Sequence, residues 1–181
     1  MVNTPPPPTR FNFAAPLLAT NAGRPAKTAF IDDQGTLSYG ELAQQIRRCA
    51  AGLRALGLRR EDRVLLLMHD CSDWPVAFLG ALFAGVVPVA VNTLLTADDY
   101  AFMLRDSRAQ AALVSAALFP TLQAALAQGG HEVGPVVVSR AATELPDGCT
   151  DFDALLAAQA QADVADTHAD EAAFWLYSSG S

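Results

Sequence analysis

Four short runs, Val64 to Met68, Pro88 to Val91, Ala112 to Ser115 and Val136 to Ser139, are apolar at consecutive positions, two of them closing on a serine. A strand with one wet face alternates apolar and polar residues, so a continuous run marks a strand covered on both faces. Helical patterns separate the runs. Strand and helix alternating at short intervals predict an α/β fold: a mostly parallel sheet with helices on both faces. In sheets of this kind ligands bind outside the carboxyl ends of the strands.

The helices carry start and stop signals. Ser38-Tyr39-Gly40-Glu41 is an S-x-x-E capping box, and Leu42, Ile46, Cys49, Leu53 and Leu56 follow at spacings of four and three until Gly57. Arg47, Arg48 and Arg54 fall off that stripe and read as a solvated face. Ser72 is expected to cap a helix that tolerates Pro75 in its first turn. Thr96-Ala97-Asp98-Asp99 opens another helix with a charged capping box, Pro120 starts the next, and Thr150-Asp151-Phe152-Asp153 caps the last, through Leu156. Before all of these, Phe11 to Ala22 reads as an N-terminal helix ended by Gly23. Lys27 to Ile31 and Thr36-Leu37 read as two short strands around the turn Asp32-Asp33-Gln34-Gly35. Gln159 to Asp170, with no apolar period, reads as a polar surface connection.

Composition narrows the function. With 181 residues, 51% hydrophobic and 17% charged, the chain supports one substantial core. A formal net charge of -7 argues against nucleic acid as a partner, which would need a basic face. Trp74 to Val91 is uncharged and near the length of about 20 residues needed to span a bilayer. Gly80, Gly85 and Pro88 divide it into a helix and a strand, and no membrane association is expected. Cys49, Cys71 and Cys149 lack CxxC spacing and fit a reducing, cytoplasmic setting. His69, His131 and His168 are equally scattered, so no metal site is expected. Met1 to Pro8 has a proline run and no apolar core, and residues 1–10 read as a disordered leader.

The last stretch, Phe174-Trp175-Leu176-Tyr177-Ser178-Ser179-Gly180-Ser181, runs from an apolar segment straight into hydroxyls and a glycine. Backbone N–H groups and hydroxyl donors gather there, and Gly180 lets a bulky anion approach the backbone. The pattern is not GxxxxGK[ST], because Lys27 is the only lysine and no glycine opens the motif. Nor is it GxSxG, since Leu176 and Tyr177 stand where a glycine is needed. Ser-Ser-Gly-Ser also suits a flexible linker. Linkers are polar on both sides, whereas Ala172 to Tyr177 reads as a buried strand, which favours a phosphate loop.

Tyr177-Ser178-Ser179-Gly180-Ser181 resembles the opening of the phosphate-binding motif of the adenylate-forming superfamily of acyl- and aryl-CoA ligases, luciferases and peptide-synthetase adenylation domains. The motif continues Thr-Gly-x-Pro-Lys-Gly in that superfamily, so the loop reads as truncated. Thr36-Leu37-Ser38-Tyr39-Gly40-Glu41-Leu42, Asp62-Arg63-Val64-Leu65-Leu66-Leu67 and Gly85-Val86-Val87-Pro88-Val89 resemble its N-terminal part in the same order. Asp73-Trp74-Pro75-Val76-Ala77-Phe78-Leu79-Gly80-Ala81 and Val89-Ala90-Val91-Asn92-Thr93-Leu94-Leu95-Thr96 resemble the benzoate-CoA ligase branch. Many relatives read Asn-Pro where this chain has Asn92-Thr93.

The resemblance implies the N-terminal subdomain of the large domain of an adenylate-forming enzyme over residues 11–170. Residues 171–181 would supply a strand and the start of the phosphate loop. It implies a carboxylate attacking the α-phosphate of ATP, then coenzyme A displacing AMP, with Mg²⁺ shared between phosphates. Ser178, Ser179, Gly180 and Ser181 would hold the β- and γ-phosphates. No position in the chain is identified as a catalytic acid or base; the carboxylate pocket and catalytic lysine of relatives lie past Ser181. Its partners would be a small carboxylate, ATP, coenzyme A and the rest of its own polypeptide, with homodimerisation left open. The alternatives are another acyl-CoA synthetase or adenylating enzyme of the superfamily, or a non-catalytic α/β binding module ending in a linker.

Overall fold

The expected strands are β3 (Arg63–Leu67), β4 (Val87–Ala90), β5 (Ala111–Ser115) and β6 (Val136–Ser139), joined by β7 (Cys149–Asp151) and β8 (Trp175–Leu176). In the computed structural model, which describes residues 8–178, these six form one parallel sheet in the order β7-β6-β5-β3-β4-β8. A separate antiparallel hairpin, β1 (Thr28–Asp32) and β2 (Gly35–Ser38), precedes them. The helices are α1 (Ala14–Asn21), α2 (Tyr39–Ala55), α3 (Asp73–Ala84), α4 (Ala97–Ser107), α5 (Phe119–Leu126) and α6 (Phe152–Ala157).

Both faces of the sheet are covered, and alternate strand residues divide between them. Val64, Leu66, Leu113 and Val137 join one apolar cluster with residues of α1, α2, α3 and α6. Leu65, Leu67, Val114 and Val138 join a second with Tyr100, Met103 and Leu104 of α4 and Leu122 of α5. Period-two geometry sends neighbours to opposite faces, and because both faces are dry the sequence shows no alternation. Val64 to Leu67 are all fully buried.

Two capping boxes set helix starts as expected. Ser38 Oγ accepts from Glu41 N while Glu41 accepts from Ser38 N, and Thr96 and Asp99 exchange the same pair of bonds. Ser72 departs from expectation. Its backbone is helical and its side chain makes no capping bond; Ser72 Oγ and N both donate to Asp32 of the hairpin, at 2.5 and 2.8 Å. A cap needs an extended N-cap backbone that aims the hydroxyl oxygen at a backbone N–H. Ser72, at φ -59° and ψ -28°, does not offer one, and its hydroxyl donates to the carboxylate instead.

Other boundaries moved for identifiable reasons. The first helix begins at Ala14, three residues later than expected, because Asn12 accepts from Ala14 N and donates to Leu82 O at 2.8 Å, fixing a turn there. Of the expected leader, residues 1–7 lie outside the described residues, while Thr9 O accepts from Ala169 N and Arg10 bridges to His168. Thr150 and Asp151 belong to β7, and Asp151 is also the N-cap of α6, where it accepts from Ala154 N. The segment at 159–170 carries no helix or strand and is pinned by Ala162 N to Arg47 O and Ala165 N to Phe83 O.

Trp74 to Val91 divides as expected. Gly85, at φ 79°, ends α3 in the left-handed region, and a Cβ there would meet Ala165 Cβ at 3.0 Å. Pro88 lies inside β4, yet Val87 N and Val91 N donate to Asp62 O and Leu66 O. Alternation turns the missing Pro88 N–H towards the β8 side, before β8 pairing begins at Val89 and Trp175. Among the described residues no helix is long and apolar enough to cross a membrane.

Candidate functional site

The polypeptide runs through β8 and delivers Tyr177 and Ser178 past its carboxyl end, beside the carboxyl end of β4. β8 is short and lies at the sheet edge. Trp175 is 38% and Leu176 68% exposed, so the buried strand expected over Ala172 to Tyr177 is instead a two-residue edge strand. What it lacks in length it gains from its aromatic side chains. Phe174 packs on Phe78 of α3 and Phe13, with centroids 5.5 and 6.5 Å away. On the opposite face the Arg63 guanidinium lies 6.0 Å from the Trp175 ring, and Tyr177 meets Phe102 of α4 edge-on at 6.5 Å. The Tyr177 hydroxyl donates to Asp106 Oδ2 at 2.7 Å. Burial, then the neighbouring Asp106 carboxylate, pushes the Tyr177 phenol above its ordinary pKa, so it remains a neutral donor.

Ser178 is exposed at the end of this root. Ser179, Gly180 and Ser181 lie outside the described residues. Next to the root, the turn after β4 is held from below by the buried Tyr100, whose hydroxyl donates to Asn92 O at 2.7 Å and accepts from Leu95 N at 3.2 Å. Asn92 Oδ1 accepts from Leu94 N at 2.9 Å, closing the turn that leads into the Thr96 capping box.

A second polar cluster occupies the carboxyl ends of β3, β5 and β6. The chain passes from β3 to β4 on one side, then to β5, β6 and β7 on the other, so the strand order reverses between β3 and β5. A cleft of about 640 Å³ opens there, lined by His69, Asp70, Cys71, Ser115 and Arg140 and walled by the hairpin's Asp32. Arg140, at φ 58°, donates through its two Nη groups to Asp33 at 2.7 Å and Asp32 at 2.5 Å. Ser139 Oγ donates to Asp73 at 2.6 Å. Bonds from the Ser72 hydroxyl, then the Ser72 and Gln34 amides, hold Asp32 far below the usual carboxylate range. Burial works to lower Arg140, but its bonds to Asp33 and Asp32 outweigh it and keep the guanidinium charged. Both Nη groups thus serve carboxylates of the same chain, and the cluster ties the hairpin to the sheet and α3.

Among the described residues no group of three or more His, Cys, Asp or Glu could hold a metal ion. Burial pushes the Cys49 thiol up to about 12, which makes it a packing group rather than a nucleophile. The sequence offers Ser178 as a candidate and gives no sign of the Tyr177 anchor, whose partner lies 71 residues away. No local pattern signals a bond of that separation.

The chain belongs to the AMP-binding enzyme family, whose sequence model matches residues 17–181. It is 45% identical, over 186 aligned positions, to benzoate–CoA ligase of Thauera aromatica, covering 99% of this chain and 34% of that protein. To 4-hydroxybenzoate–CoA/benzoate–CoA ligase of Rhodopseudomonas palustris it is 40% identical over 159 positions, 87% of this chain and 29% of that one. Among solved structures, benzoate CoA ligase from Burkholderia xenovorans superposes with a TM-score of 0.83 at 47% identity, over 92% of this chain and 32% of that chain. Anthranilate CoA ligase in complex with anthranoyl-AMP superposes with a TM-score of 0.89 at 26% identity, over 96% and 33% of the two chains. The mostly parallel α/β sheet matches the N-terminal region of adenylate-forming CoA ligases, and the chain spans about a third of the length of these relatives.

Proposed function

We propose that this chain is the N-terminal part of an ATP-dependent aryl-CoA ligase. The complete enzyme joins benzoate or a close aryl carboxylate to ATP as an acyl-adenylate, releases pyrophosphate, and transfers the acyl group to coenzyme A with release of AMP. Residues 11–170 form the N-terminal subdomain, and residues 171–181 carry the strand and the opening of the phosphate loop. The observation that carries the reading is the anchored root: an aromatic edge strand, pinned on both faces, that presents Ser178 at the carboxyl end of a parallel sheet. That is where α/β sheets bind ligands.

In this reading Ser178, Ser179, Gly180 and Ser181 offer hydroxyl and backbone donors to the β- and γ-phosphates of ATP, where charge grows on the leaving pyrophosphate. Donors fixed beforehand stabilise that charge without reorganising. Mg²⁺, when bound with ATP, supplies charge neutralisation between the phosphates. The three free cysteines fit a cytoplasmic enzyme.

The aryl preference is supported by the two relatives above, which act on benzoate by name. A flat ring fills an apolar slot that an alkyl chain fits poorly, and one methylene there is worth only about 1 to 3 kcal/mol, so ring-substituted acids should be accepted with graded losses. The test is kcat/KM of the complete ligase on benzoate, 2-aminobenzoate, 4-hydroxybenzoate, hexanoate and acetate, alongside benzoate-dependent ATP–pyrophosphate exchange. Benzoate is expected to lead. An aliphatic acid ahead of it would overturn the aryl assignment, and an absence of exchange with every acid would overturn the ligase reading.

A further inference from the structure

Tyr177 joins β8 to α4 by a route that the apolar packing does not require. Its ring already packs against Phe102 and the cluster around Tyr100 and Leu104. A phenylalanine would fill the same space. The hydroxyl adds a 2.7 Å bond to Asp106 Oδ2, with Met103 O a distant second acceptor at 3.5 Å. Asp106 stands in the last turn of α4, one residue before its end at Ser107, where the helix dipole disfavours negative charge. A neutral donor there offsets that penalty without adding a countercharge. Asp106 is exposed, so losing the bond leaves its carboxylate in water and not stranded in the core.

Tyr177 is also the last residue before Ser178. On one side of it β8 is registered on β4 through Ala90 and Leu176; on the other its own hydroxyl is tied to α4. A site is held in productive geometry only when the groups supporting it are themselves fixed. We propose that Tyr177 is a positioning residue: its hydrogen bond to Asp106 fixes the backbone that carries Ser178, and through it the rate of adenylate formation. The proposal rests on the ligase reading above and deepens it. The Tyr177 hydroxyl is directed to α4, at Asp106 and Met103.

The experiment uses the complete ligase and four variants: Tyr177→Phe, Asp106→Ala, the two combined, and Asp106→Asn, whose amide oxygen still accepts from the phenol. Adenylate formation in Tyr177→Phe and Asp106→Ala is expected to slow about tenfold, short of the roughly hundredfold of a 1 Å misplacement. The double variant should lose no more than either single one, and Asp106→Asn should recover most of the rate. The KM for benzoate and the melting temperature should stay put, while amide exchange at Leu176 to Ser178 quickens in the slowed variants. Wild-type rates in Tyr177→Phe, losses that add in the double variant, or unchanged exchange at Leu176 to Ser178 would overturn the positioning role. A wild-type ligase without adenylating activity removes the ligase reading itself, a failure distinguished by needing no variant to observe.

Discussion

A Cβ placed on Gly80 would lie 2.6 Å from Cys49 Sγ and 2.7 Å from Cys49 Cβ, so α3 crosses α2 at a point where only hydrogen fits. Cys49 is completely buried and holds its place on the α2 stripe. Gly80 therefore sets how closely the two helices approach. Gly80→Ala should destabilise the fold by about 1 to 3 kcal/mol, even though alanine is the better helix former. Cys49→Ala added to it should relieve only part of the loss, because the Cys49 Cβ remains. Urea unfolding checks both; a Gly80→Ala protein as stable as wild type would mean that the helices are free to separate.

The hairpin cluster makes stability depend on acid in a direction that can be worked out. The folded-state pKa of Asp32 lies below its unfolded value of about 3.9, held there by Ser72, Gln34 and Arg140. Its contribution is fully present above that value and is lost as pH falls through the folded-state pKa. Asp32→Asn should thus be clearly less stable than wild type near about pH 7, and the difference should narrow on acidification below about pH 4. Unfolding midpoints across that range decide it. A gap of constant size would show that Asp32 acts through shape and not charge.

Ser38 and Thr96 support their helices by capping, and Ser72 by a tertiary bond, which predicts different couplings. Ser38→Ala and Thr96→Ala should each cost about 1 kcal/mol. Their losses should add to that of Asp32→Asn. Ser72→Ala should not, because the Ser72 hydroxyl donates to the carboxylate whose charge Asp32→Asn removes. Double-mutant cycles measure this, and additivity for the Ser72 and Asp32 pair would restore the simple capping role.

These contrasts show where the sequence was readable. The four continuous apolar runs, both capping boxes and the break at Gly85 are local signals, and the strands and helices stand where those signals put them. β7 escaped notice because Cys149–Asp151 is three residues long, partly exposed and at a sheet edge, so it carries no apolar run. Ser72 looked like a cap because capping is read from neighbours in sequence, while its partner Asp32 is 40 residues away. Trp175 and Leu176 looked buried because aromatic and apolar residues usually are; only the strand order reveals an edge. At the candidate site the sequence offers the serines as donors, and of these only Ser178 lies among the described residues. The groups that hold their root, Phe13, Phe78, Phe102 and Asp106, come from other elements and leave no local pattern.

In the proposed ligase the Ser178–Ser181 segment meets developing charge on the phosphates of ATP. Pre-steady-state adenylate formation from benzoate and ATP, in the complete ligase carrying Ser179→Ala or Ser181→Ala, tests it most directly. Removing one preorganised donor to developing charge is worth roughly 3 kcal/mol, so formation should slow about a hundredfold while benzoate binding is unchanged. A loss of about tenfold or less, or a loss that appears equally in benzoate binding, would contradict the claim and leave these hydroxyls as caps of a turn.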